Sequence, residues 1–80
     1  MGRDVEFNNR DRLLELGLTI AAYRKRQGMS QEMLAEKANM SRSYLSAIEA
    51  PNIIRPFSVE ILYNIADALG VRAGDLLNDR

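Results

Sequence analysis

Residues 30–49 read SQEMLAEKANMSRSYLSAIE, and twice in this stretch a serine precedes apolar residues at helical spacing. Ser30 is placed to accept hydrogen bonds from the orphan amides of a helix over Gln31 to Ala38, and Ser41 from those of a second helix ending near Ala50. Leu34 and Ala38, with the small Ala35 between them, give the first helix its buried face. Leu45 and Ile48 do this for the second, with Tyr44 at the edge. Asn39 tolerates left-handed backbone geometry and reads as a tight turn between the two. Pro51 ends the second helix, because proline donates no amide hydrogen and restricts the residue before it.

The same periodicity extends outward in both directions. Upstream, Leu13, Leu16, Ile20 and Tyr23 recur at three- and four-residue steps, which predicts a helix from Asn9 or Arg10 to Gln27, stopped by Gly28. Residues 1–8 are then expected as an N-terminal extension, partly disordered, before one domain over 9–80. Downstream, Asn52 to Phe57 is a loop containing the adjacent Ile53 and Ile54. Ser58 caps a fourth helix, Glu60 sits in its first turn, and Val59, Leu62, Ile65, Ala66 and Leu69 form its core stripe up to Gly70. A short last helix over Ala73 to Asn78 carries Leu76 and Leu77. No stretch alternates apolar and polar residues long enough for a sheet, and most connections are short. The expectation is all-α, a compact five-helix bundle.

Composition narrows the function. With 80 residues, 46% hydrophobic and 28% charged, the chain is a single globular domain rather than a disordered tail. Cysteine and histidine are both absent, which removes thiolate and imidazole metal ligands and thiol nucleophiles. The acidic pairs at helical spacing, Asp11 with Glu15 and Glu32 with Glu36, lie among basic residues on expected solvent faces, so the reading is not an enzyme. No apolar run reaches the roughly 20 residues that span a bilayer, and MGRDVEFNNRDR lacks a secretory core, so a cytoplasmic location without membrane contact is expected. Net charge is zero, but it is unevenly spread. Residues 1–23 hold three basic and four acidic groups, residues 24–55 six and three, and residues 56–80 two and four, or −1, +3 and −2. The local excess matters more than the sum, because salt screens charges beyond about 10 Å.

Two short helices joined at Asn39, with Leu34, Ala38, Met40, Leu45 and Ile48 filling the junction, have the geometry of a helix-turn-helix. One face of the second helix is left to enter a groove about 12 Å wide. Here the chain resembles the phage-repressor helix-turn-helix family, Cro-like or XRE-like, of bacterial transcription regulators. The resemblance covers about Gly17 to Leu77 and is carried by YRKRQGMSQEMLAEKANMSRSYLSAIE and the later LYNIADALGV. It implies a lambda-repressor-like DNA-binding domain and a sequence-specific transcriptional regulator, a repressor of bacterial or phage origin. Residues 41–50 would be its recognition helix in the major groove of double-stranded DNA. It also implies action as a homodimer, with no cofactor and no small-molecule ligand.

Roles follow residue by residue from the resemblance. Gln31 matches a glutamine that bonds a phosphate and braces the reading helix. Arg42, Ser43 and Tyr44 occupy its exposed first turn, with Ser46 and Ala47 one turn on. Arg42 is the candidate base reader, since guanidinium is a bidentate donor suited to guanine O6 and N7. Ser41 caps and bonds a phosphate, and outward amides at this helix start bind phosphate without a side chain. Arg24 and Glu49 match a structural salt bridge between the first and third helices. Lys25 and Arg26 then remain as phosphate contacts.

Each residue also has a plainer reading. Gln31 is a solvated first-turn residue, Arg42 the partner of a nearby acid, Tyr44 core-edge packing, and residues 24–26 a solvated face. At least one of Ile53 and Ile54 is expected to fold back as core; the other reading gives both to a second subunit, with Leu77 as a further candidate. Relatives often carry basic residues later in the recognition helix and a glycine-basic sequence beyond it, where this chain has Ala47, Ala50 and Pro51. Fewer charges predict a small salt dependence, with a slope near −0.9 for each phosphate neutralised. An antitoxin-like or scaffolding protein-interaction module on the same fold is the rival.

Overall fold

The chain forms five helices in the order α1 (Gly2–Arg26), α2 (Gln31–Lys37), α3 (Arg42–Glu49), α4 (Val59–Leu69) and α5 (Ala73–Leu77). The structure is a computed structural model describing the backbone of residues 2–77 and the side chains of residues 9–77. Among the described residues there is no strand, and no helix is long and apolar enough to cross a membrane.

Local chemistry sets the boundaries. The Ser30, Ser41 and Ser58 side chains accept from the backbone amides of Met33, Tyr44 and Ile61 at 3.1, 3.1 and 3.2 Å, starting α2, α3 and α4. Three of the helix ends share one device, a residue with positive φ: Gly28 (73°), Asn39 (62°) and Gly70 (73°). The next amide in each case reaches back to a carbonyl five residues earlier, Met29 to Arg24, Met40 to Ala35 and Val71 to Ala66, at 2.9 to 3.1 Å. At Asn39 this folds α3 sharply back across α2, the step on which the motif depends.

The first helix begins seven or eight residues earlier than the pattern predicts. Asn9 and Arg10, read as its start, lie inside it, and no proline separates them from Gly2. The side chains of residues 1–8 lie outside the described set, and with them the expected extension. The expected end of α5 at Asn78 lies outside it as well.

Ile20, Leu34, Leu45, Ile65 and Leu76 are the largest fully buried side chains, one from each helix. Ala35, Ala38, Ile48, Leu62, Ala66 and Leu69 complete the core. α3 packs on α1 and α2, whereas α4 packs on α2, α5 and α1. α1 and α2 thus lie against both α3 and α4.

Two expectations need correction, those for Val59 and for the Ile53–Ile54 pair. Val59 is 63% exposed; it lies on the correct face of α4, but in a first turn that nothing covers. Leu77 is 56% exposed, because consecutive residues on a helix point about 100° apart and Leu76 takes the inward position. Ile53 and Ile54 are both exposed, at 48% and 39%, so neither folds under the loop. Phe57, at the loop's end, packs against the core instead.

Candidate nucleic-acid interface

Gly17 determines how closely α3 can approach the body of the protein. It is buried in the middle of α1, directly against the backbone of α3. A methyl group there would overlap the Ile48 carbonyl oxygen and lie 3.2 Å from its carbon and 3.5 Å from the Glu49 Cα. Only a residue without a side chain permits this crossing. The sequence reading passed over Gly17, although a lone glycine inside a helical pattern was the available signal.

Charge then fixes the far end of α3. The Arg24 guanidinium grips Glu49 with two parallel bonds, Nε to Oε2 and Nη2 to Oε1, each 2.9 Å. Its Nη1 donates to the Met29 carbonyl at 2.8 Å, tying in the turn before α2. Gln31 Nε2 donates to Glu49 Oε1 at 2.9 Å. One carboxylate thus joins α1, α2 and α3. The pair is nearly dry, at 9% and 4% side-chain exposure, and no buried side-chain nitrogen or oxygen among the described residues lacks a partner.

What remains of α3 faces outward. Ser41, Arg42 and Ser43 are exposed, while Tyr44, Ser46 and Ala47 are half-buried. α2 and α4 each carry an acid in the first turn, Glu32 and Glu60, but α3 carries none and has Arg42 there. A cation at the positive end of a helix dipole works against the helix, so its placement points to an anion from outside. Among the described residues, Arg42 and Lys25 have no carboxylate within ion-pair distance.

Two shallow grooves flank the helix. One brings together Lys25 of α1, Gln31 of α2 and Ser46 of α3 above the Arg24–Glu49 pair. The other has Ser41, Ser43, Tyr44 and Ala47 on its α3 wall, with Ile53, Ile54 and Arg55 on its loop wall. Arg42 stands on the exposed turn outside both linings. Arg26, read as a phosphate contact, lies over the Tyr23 ring, 4.9 Å from its centroid. Arg55 lies over the Tyr44 ring at 4.8 Å. It is a cation at the reading surface that the sequence did not single out, because the contact joins α3 to a residue of the irregular loop that follows it.

The chain is similar in sequence and fold to known proteins. The HTH-type transcriptional regulator SinR of Bacillus licheniformis is 40% identical over 65 residues, 81% of this chain and 58% of that protein. The immunity repressor protein of Bacillus phage phi105 is 39% identical over 66 residues, 82% of this chain and 44% of that protein. The chain therefore spans less than two thirds of the length of these curated relatives. A crystal structure of SinR, the master regulator for biofilm formation, in complex with DNA superposes with a TM-score of 0.72 at 40% identity, covering 79% of this chain and 98% of that one. A helix-turn-helix family model matches residues 20–76. The dry Arg24–Glu49 clamp, the Asn39 turn and the outward face of α3 are thus features of a chain that belongs to the phage-repressor, XRE-like helix-turn-helix family.

Proposed function

We propose that this protein is a sequence-specific DNA-binding transcriptional regulator, acting in the cytoplasm as a repressor and as a homodimer. The observation that carries the reading is the acid-free, outward N-terminal turn of α3, with Arg42 at its start and grooves on both sides. In the major groove, Arg42 and Ser43 reach base edges, and Arg42 suits guanine. Lys25, Gln31, Ser41, Ser46 and the Tyr44 hydroxyl hold phosphates on either side. Gln31 already donates one amide hydrogen to Glu49, and its second remains for a phosphate. The same side chain therefore braces α3 from the backbone it rests on. Relatives named as regulators and repressors favour this reading over a protein-interaction module.

The dimer contact belongs on the side away from α3. Leu77, with Val59 and Tyr63 of α4, supplies exposed apolar surface there, and a two-fold dimer would centre its half-sites about 10 to 10.5 base pairs apart. Selection of bound sequences from a random duplex pool, followed by gel-shift titration at two salt concentrations, tests the proposal. A single enriched two-fold sequence, bound more weakly at higher salt, is the expected result. A pool that yields no enriched sequence refutes it.

A further inference from the structure

The second groove has a chemistry that phosphate binding does not explain. Ala47, Ile53 and Ile54 give it an apolar floor and wall beside the hydroxyls of Ser43 and Tyr44, and Arg55 lies over the Tyr44 ring at 4.8 Å. Two adjacent branched aliphatic residues stand exposed here while the core is closed without them. A second subunit seated on this wall would also cover Ser43 and Tyr44 and shut α3 out of the groove it reads, which favours DNA as the occupant.

Resting on the DNA-binding reading, we infer that Ala47, Ile53 and Ile54 form a thymine-reading site that takes the C5-methyl group at the edge of the operator major groove. Among the major-groove edges of the bases, thymine alone presents an apolar group, next to its O4 acceptor. The Ser43 hydroxyl donates to O4 while the methyl rests on the aliphatic wall. Arg55, held by cation–π attraction to the Tyr44 ring, pairs with the flanking phosphate. Specificity at this position comes from the loop after α3, where the chain carries two isoleucines and an arginine. The apolar wall also compensates for the scarcity of base-reading cations along the rest of α3.

The test uses the whole chain and its selected duplex, with each thymine replaced in turn by deoxyuridine, which removes the methyl and keeps the pairing. One thymine in each half-site should show binding weakened about fourfold on replacement, the worth of one buried methylene. The penalty should vanish in the Ile53→Ser/Ile54→Ser protein, whose altered side chains lie outside the core, with circular dichroism confirming its fold. Equal affinity for every deoxyuridine duplex would overturn the inference and leave the DNA-binding reading intact. So would a penalty of the same size in the double variant. Weakened self-association in that variant with an unchanged penalty would overturn it as well, assigning the isoleucines to a subunit contact. Failure of the pool to yield any sequence would sink both readings together.

Discussion

Replacing Gly17 by alanine adds one methyl group and should unseat the recognition helix. In an unobstructed helix the change stabilises by about 0.5 to 1 kcal/mol, because glycine loses more backbone entropy on folding. Here the methyl meets the Ile48 carbonyl oxygen and lies 3.2 Å from its carbon. Neither is the flexible end of a side chain, so the two helices must separate or bend. Overpacking of this kind costs about 1 to 3 kcal/mol, and the shift also strains the two 2.9 Å bonds between Glu49, the residue after Ile48, and Arg24, two turns further along α1. In a domain of this size each kcal/mol moves Tm by roughly 4 to 8 °C, so Gly17→Ala should lower Tm by roughly 4 to 24 °C. Gly74 in α5 is the internal control. A methyl there meets nothing within 4 Å, and Gly74→Ala should raise Tm by a few degrees. Thermal unfolding followed by circular dichroism at 222 nm reads both. A Gly17→Ala protein that melts at or above the parent temperature would refute the backbone-contact account of how α3 is seated.

Three further substitutions separate the roles assigned above. Arg24→Met leaves Glu49 buried without its main partner and should destabilise by about 3 to 5 kcal/mol; Arg24→Met/Glu49→Met should recover most of this in urea unfolding, and a double variant as unstable as the single would contradict the stranded-charge explanation. Arg42→Ala should cost about 1 to 3 kcal/mol of DNA binding and relax preference at one base, whereas Lys25→Ala should weaken all sequences alike and reduce the salt slope by about one phosphate. Full affinity and preference after Arg42→Ala would remove Arg42 as the base reader. At Asn39, where φ is 62°, substitution by glycine should be nearly neutral and by valine should cost about 1 to 2 kcal/mol; calorimetric melting showing equal stability would mean that the turn can be made another way.

Much of the architecture could be read directly because it is written in local chemistry. A serine hydroxyl three residues before an amide, or a glycine or asparagine after the last apolar position, acts over a single turn, so its meaning survives without knowledge of the rest of the chain. Helices α2 to α4 and their caps were legible for that reason. Val59 was misread because periodicity says which face of a helix is apolar but not how far its neighbours extend along it. Ile53 and Ile54 were misread because an irregular loop has no period at all. Of that stretch it is Phe57 that packs against the core.

For the functional surface the division is similar. The sequence alone determined that α3 starts with a cap, a cation and no acid, and that the middle of the chain carries the basic excess. Those properties need only residue types and helical spacing. Tertiary structure alone decided that Gly17 lies against the backbone at Ile48, that one carboxylate receives both Arg24 and Gln31, and that Arg55 rests on Tyr44 beside two exposed isoleucines. Each of these joins residues far apart along the chain. Only the packing angles of α1, α2 and α3 bring them within reach, and those angles arise from the fit of all the side chains at once.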